Sequence, residues 1–398
     1  MDKSVAESGV ALGEELLERT RALVPALRER GPEAEEIRRI PDATIRDFED
    51  AGLFAIQTPV QFGGPDIPYS YVARIISEIA RGCLSTSWTL GLLIQHNFQI
   101  AMLPEEAQRE VWADKNYVLA PGFFESRGDA VRVDGGYLAT GTWRYGSGIH
   151  HSDWVLLTAR VKEEDGSITM QRMLIPVADG EIIDNWYIMG MKSSGSCDFK
   201  IDNVFVPEYR TMTAASMLDA TAPGLALNHG PTWNLPMLVV WNVNMMGMPL
   251  GTAKGVWEMS LEHNRVRTMP FRRTNARDEP HVRAHLGKAR ADIDAMDALF
   301  ERWLARVDDM AVTREPMSDE GRIQLRLHET YMFKKSNDVV ERISDMTGTA
   351  TYALANPIQR FRRDLNTLSG HGFHDYELVA DTYVGNLFGL APPEGLLI

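Results

Sequence analysis

The chain has 398 residues, 44% of them hydrophobic and 24% charged, with a formal net charge of −14. That composition suits a globular protein of two or three domains, or one large composite unit, with a sizeable core. The negative balance argues against nucleic acid and against an anionic membrane surface as partners. No apolar run is long enough to span a bilayer, and the N-terminal segment lacks the apolar stretch of a signal peptide. Cys83 and Cys197 lie far apart, which argues against a disulfide framework or a cysteine-ligated zinc site. A cytoplasmic location is expected.

Residues 1–112 read as an N-terminal helical domain. ALGEELLERTRALVPALRERG carries apolar positions at helical spacing, and Gly31-Pro32 ends it. PDATIRDFEDAGLFAIQ predicts a second helix with Asp42 as its N-cap. A Gly- and Pro-rich loop at 59–68 separates it from two further helices, SYVARIISEIARGC and STSWTLGLLIQHNFQIAML. Residues 113–222 change period to a central β domain. AVRVDGGYLATGTWRYGSG alternates around a DGG turn, a hairpin signal. DWVLLTARVKEEDGSITMQRMLIPV predicts two more strands, and EIIDNWYIMGM with CDFKIDNVFVP completes a small barrel or sandwich. Residues 223–398 return to the helical period as a C-terminal four-helix bundle. Helices, then strands, then helices exclude a doubly wound sheet or a TIM barrel, which alternate throughout. The class is mainly α with a central β domain.

The stretch WRYGSGIHHSDW (143–154) offers several chemistries. Gly146-Ser147-Gly148 is not the G-x-S-x-G of a nucleophile elbow, and no helix follows it. His150 and His151 are neighbours, which on a strand point to opposite faces. No H-E-x-x-H occurs, so no metal is expected. Dinucleotide and P-loop fingerprints are also absent. What remains is a wall against a planar cofactor. Trp143, Tyr145 and Ser147 alternate along a strand and so would share a face. From spacing alone, ordinary core is the better reading of Trp143 and Tyr145, and of His96 on its helix.

Three segments in order, WRYGSGIHHSDW, MGMKSSGSCDFKIDNVFVPEYR and TGTATYALANPIQRFRRD, resemble the acyl-CoA dehydrogenase fold over nearly the whole chain. After Arg363-Asp364 the tail lacks the E-G-T stretch of true dehydrogenases and carries His371 instead. That is similar to the two-component flavin-dependent monooxygenases, the group of 4-hydroxyphenylacetate hydroxylase and the secosteroid phenol hydroxylase. The resemblance implies reduced FMN or FAD supplied by a separate reductase, O2, a flavin C4a-hydroperoxide, and an aromatic substrate. It assigns catalysis to His96, Ser147 and His371. It places Trp88, Trp143, Tyr145, Ser147, Ser194, Gly195 and Ser196 beside the flavin, and the glycines around Ser147 would let its ring approach the backbone. It gives the flavin phosphate to Arg265 or Arg267. Thr347 and Gly348 belong to a Gly-rich turn that approaches a neighbouring subunit's flavin in a homotetramer. Phe123, Trp241 and Met245 then form a bulky, rather apolar substrate pocket. The alternatives are an N-hydroxylase of an amine or amino sugar, a dehydrogenase-like enzyme with Glu258 or Glu262 as base, and a scaffold without activity.

Overall fold

The computed structural model describes residues 3–269, 273–393 and 396–397. The N-terminal helices are α1 (Lys3–Glu29), α2 (Gly31–Glu36), α3 (Asp42–Asp50), α4 (Tyr69–Gly82), α5 (Leu84–Ile100) and α6 (Glu105–Val111). The sheet strands are β1 (Gly122–Val133), β2 (Gly136–Gly146), β3 (Trp154–Lys162), β4 (Ile168–Pro176), β5 (Glu181–Ile183), β6 (Cys197–Pro207) and β7 (Thr211–Thr213). After the short α7 (Ala214–Leu218) come α8 (Met237–Val266), α9 (Pro280–Thr313), α10 (Asp319–Thr347), α11 (Pro357–Ser369) and α12 (Tyr376–Leu387). Asp42 is the first residue of α3 and does not cap it; Pro41 stands at the N-cap.

The strands form one mixed sheet in the order β5-β6-β2-β1-β3-β4-β7, with β1 and β3 parallel. The β1–β2 turn holds Gly135 at φ +75°, and the β3–β4 turn holds Gly166 at φ +86°, conformations that glycine adopts without strain. The stretch NWYIMGM, expected as strand, is loop.

Helix α5 is buried along its whole length, as expected of a helix apolar all round. Its polar residues therefore need partners. Asn97 donates to the Val118 carbonyl (3.0 Å) and accepts from Val118 N–H (3.0 Å) and the Trp112 indole (3.2 Å). These bonds fix α5 against the entry to β1. On α8, Gly247, Gly251 and Gly255 recur every four residues and lie against α4. A Cβ there would meet Ala73 O at 2.8 Å, Ser77 O at 1.9 Å and Arg81 O at 2.4 Å, so the two helices cross at backbone distance. Among the described residues no helix is long and apolar enough to cross a membrane.

Candidate active site

A cavity of about 800 Å³ opens between α5, the sheet, the start of α8 and the turn after α11. Its walls include Trp88, His96, Phe124, Ser147, Arg172, Ser194, Trp241 and His371. Trp88 and His96 reach it together because eight residues are close to two helical turns.

His96 is 1% exposed. Its Nδ1 lies 2.6 Å from the Ala120 carbonyl. A carbonyl only accepts, so Nδ1 carries the proton and Nε2 is a bare acceptor. Nε2 has no partner among the described residues. Gly122 keeps the space beside it: a Cβ there would meet Nε2 at 2.8 Å. Burial pushes His96 down to about 3, with the nearby Arg172 charge adding to the effect.

The hydroxyls of Ser147, Ser196 and Ser194 form a chain whose direction is fixed. Ser194 donates to the Met191 carbonyl at 2.9 Å. It must then accept from Ser196 (2.6 Å), which must accept from Ser147 (2.7 Å). The Trp88 indole N–H donates to Ser147 Oγ at 3.1 Å. Each hydroxyl has one proton and two lone pairs, so Ser147 has one acceptor position left and no donor. The loop carrying Ser194 and Ser196 is tied to α11. Asp364 accepts from Met191 N–H at 2.6 Å, and burial raises that carboxyl to about 7. Arg363 donates to Met189 O and pairs with Glu35. These contacts explain why the RRD motif lies so far in sequence from the loop it holds.

His371 Nδ1 accepts from Phe373 N–H at 3.1 Å and caps that turn. Its neutral form therefore carries the proton on Nε2, a donor. Burial lowers His371 to about 4, helped by the charges of His374 and Arg326. Its ring centroid lies 5.4 Å from that of Trp88. Both histidines resist protonation in the folded state, whereas an unfolded chain takes up protons below the ordinary value of 6.5. Their contribution to stability is full above pH 6.5 and is lost as the pH falls toward 4 and then 3. Lowering the pH from 6.5 to 4 is therefore expected to reduce the melting temperature, and His96→Asn should flatten that slope. A slope unchanged by His96→Asn would count against the buried neutral ring.

Several expected residues lie elsewhere. Trp143 is 0% exposed and donates to Thr158 O at 2.7 Å inside the sheet's own core. The strand is irregular between Trp143 and Gly146, with Tyr145 at φ +74°. Alternation breaks there, so Tyr145 and Ser147 reach the cavity and Trp143 does not. The glycines around Ser147 serve protein packing: a Cβ on Gly146 would meet Phe123 at 2.4 Å, and one on Gly148 would meet Leu93 and Thr89 at 2.8 and 2.9 Å. Phe123 packs against Phe199 in the core, while Phe124 lines the cavity; β1 shifts register between Phe123 and Gly128. Met245 is fully buried beyond the turn of α8 that carries Met237, Leu238 and Trp241 to the cavity. Gly195, at φ +53°, shapes the loop between Ser194 and Ser196 without lining the cavity.

Arg265 and Arg267 lie about 36 and 39 Å along α8 from Trp241 at 1.5 Å per residue. Arg265 pairs with Glu262 (2.8 Å), and Arg267 donates to Thr347 O (2.9 Å), next to Gly348. None of Arg265, Arg267, Thr347 and Gly348 lines the cavity. Glu258 pairs with Arg28 at 2.7 Å, and neither it nor Glu262 lines the cavity as a dehydrogenase base would. His151 contacts Ile40 O at 2.7 Å. His150, Asp184 and Cys197 bring ligand-type atoms within 4.8 Å of one another, but Asp184 is held by Arg38 through two bonds of 2.7 and 2.6 Å.

Sequence reading missed Arg172 and the pair His374–Glu329. Arg172 is a charged residue in the middle of a strand, ITMQRMLIP, a signal that was present. The pair is joined only by the fold.

The acyl-CoA dehydrogenase N-terminal domain matches residues 14–116 and its C-terminal domain residues 245–376. Fold and site thus define an enzyme of the acyl-CoA dehydrogenase fold, with an acceptor hydroxyl and two histidines around one cavity. The chain is 34% identical to a pigment production hydroxylase of Rhodococcus sp. (strain ATCC 21145), over 92% of this chain and 95% of that one. It is 30% identical to the flavin-dependent monooxygenase oxygenase subunit HsaA of Rhodococcus jostii, over 94% and 98%. The crystal structure of the 3-HSA hydroxylase from Rhodococcus sp. RHA1 superposes with a TM-score of 0.89 at 29% identity, covering 96% of this chain and 99% of that one. XiaF from Streptomyces sp., solved with FADH2, gives 0.88 at 28% identity, covering 98% of both. The chain belongs to the flavin-dependent monooxygenases of this fold.

Proposed function

We propose that this chain is the oxygenase component of a two-component system that hydroxylates an aromatic alcohol, with reduced FMN or FAD arriving from a separate reductase. The observation that carries this reading is the unpartnered Nε2 of His96, a buried acceptor on the wall of a large, mostly apolar cavity.

The residues fit a reduced flavin. Its N5–H is a donor, and Ser147 has only an acceptor to offer. When bound, the flavin supplies the electrons that activate O2 for transfer of one oxygen atom to the ring. Ser147 would hold that N5–H through its free acceptor position. Trp88 and the Ser194–Ser196 loop fix Ser147 in place. His96 accepts the substrate O–H and draws its proton as the ring becomes nucleophilic. His371, a neutral Nε2–H donor, would steady by a hydrogen bond the oxygen that the bound flavin delivers. Leu92, Met217, Met237, Leu238 and Trp241 exclude the water that would turn the oxidant to hydrogen peroxide.

In this reading Arg265, Arg267, Thr347 and Gly348 serve a flavin in another copy of the chain, since they lie too far from their own cavity. Buried Nη1 of Arg267 has no partner among the described residues, which favours an anion there. Exposed Val384, Leu387, Phe388 and Leu390 at the end of α12 suit burial between subunits of a homotetramer. Free Cys83 and Cys197 agree with a cytoplasmic location.

The test supplies chemically reduced flavin, 1-naphthol and isotopically labelled O2. Product carrying one labelled oxygen supports the reading; hydrogen peroxide alone, with every hydroxyarene tried, rejects it. Ser147→Ala is expected to raise the share of reduced flavin lost as hydrogen peroxide.

A further inference from the structure

Arg172 is 0% exposed and lies in the cavity wall. Its guanidinium donates to Phe123 O (2.8 Å), Thr158 Oγ1 (3.0 Å) and Gln99 Oε1 (3.1 Å), all uncharged acceptors. Its Nε has no partner among the described residues. The other charged groups in the wall are paired: Glu125 with Arg127 at 2.6 Å, and Arg144 with Asp198 at 3.8 Å. No carboxylate of the described residues stands within ion-pair distance of Arg172, and burial alone pulls it down to about 9. An isolated buried cation is costly unless an anion meets it. The position of the charge is specific. Gln99 stands one helical turn after His96 on α5, and Phe124, whose ring lies 4.7 Å from the guanidinium, also flanks the His96 Nε2. The charge therefore sits at the end of the cavity where His96 accepts a hydroxyl.

We propose that Arg172 is the counter-ion for an acidic group on the substrate, so that the substrate is a hydroxyarene with a carboxylate beside its hydroxyl. This rests on the hydroxylase reading above and narrows it. The apolar walls take the ring, His96 takes the O–H, and Arg172 takes the carboxylate. No bond forms or breaks at Arg172; its part is recognition.

The test is calorimetric binding to the flavin-free protein, which needs no turnover. The probes are 1-hydroxy-2-naphthoate, its neutral amide 1-hydroxy-2-naphthamide, and 1-naphthol. The acid is expected to bind about 10- to 100-fold more tightly than the amide, the worth of one charge-assisted hydrogen bond. Arg172→Met should abolish that preference, and Arg172→Lys should keep part of it. A folded Arg172→Met with the preference intact overturns the proposal. So does an unaltered protein that binds acid and amide alike, a result that stands even if the variants fail to fold. Binding of 1-naphthol and the amide without preference for the acid leaves the hydroxylase reading standing while the proposal falls. Binding of none of the three overturns the proposal, and the labelled-oxygen experiment then decides the hydroxylase reading.

Discussion

Replacing His96 by Asn is expected to lower the hydroxylation rate by about 10²–10⁴-fold, the usual worth of a positioned acid–base group. The substitution separates the two nitrogens. The Asn amide N–H can take over donation to Ala120 O, now made by Nδ1 at 2.6 Å, while the Nε2 acceptor disappears. Loss of activity then reports the acceptor and not a collapsed wall. The low basicity of His96 in the empty cavity is no obstacle. Its proton affinity rises as negative charge grows on the substrate oxygen beside it, because opposite charges favour the ionised forms. The variant should recover as the pH approaches the substrate's own ionisation, about 10 for a simple phenol, because the phenolate then forms without help. The unaltered enzyme should show little such rise. The measurement is single-turnover product formation with pre-reduced flavin across pH. Activity of the variant near that of the unaltered enzyme at neutral pH would remove His96 from the reaction.

Period found the helices and turns, the family resemblance found Ser147, Ser194, Ser196 and His371 in their loops, and neither reached what strand irregularities and distant contacts decide. Trp88 and His96 share a face of an unbroken helix, so period aligned them, while their roles came from the resemblance. The turns at Gly135 and Gly166 carry their own conformational signal. Trp143 failed because the strand breaks its alternation at Tyr145, and nothing in the sequence marks that residue for positive φ. Phe123 was expected on the cavity face, but neighbours on a strand point to opposite faces, and it is Phe124 that lines the cavity while Phe123 packs against Phe199. Met245 sat one turn too far along α8, where the helix leaves the cavity wall and is fully buried in the core. The serine chain was legible only as three separate hydroxyls. Its direction, which makes Ser147 a pure acceptor, depends on the Met191 carbonyl at its end.

Glu329→Gln is expected to cost about 3–5 kcal/mol of unfolding free energy, the effect of removing one partner from a buried pair. Glu329 Oε1 lies 2.6 Å from His374 Nδ1, an ion-pair contact without hydrogen-bond alignment, and both side chains are 0% exposed. Arg326 and Phe333 lie one turn to either side of Glu329 on the same face of α10. Arg326 covers the Phe373 ring at 3.4 Å and donates to Phe373 O at 2.6 Å, while Phe333 stacks on His374 at 3.9 Å. Together they clamp the turn that presents His371, whose ring lies 5.7 Å from His374. The consequence reaches the chemistry. Burial is the main reason His371 stays neutral, and the charge on His374 is the next. Replacing His374 by Phe removes that charge, and one cause of the depressed His371 value goes with it. His371 should then titrate above about 4, moving the acid limb of the pH–rate profile upward. Denaturant unfolding checks the first effect, and the histidine ring resonances followed against pH check the second. The double replacement Glu329→Leu with His374→Phe should regain most of the stability, because an apolar pair of similar volume needs no partner. It should not restore the His371 titration, since the charge beside it is gone. A single variant as stable as the unaltered protein would mean that the pair carries no charge, and both expectations would fall together.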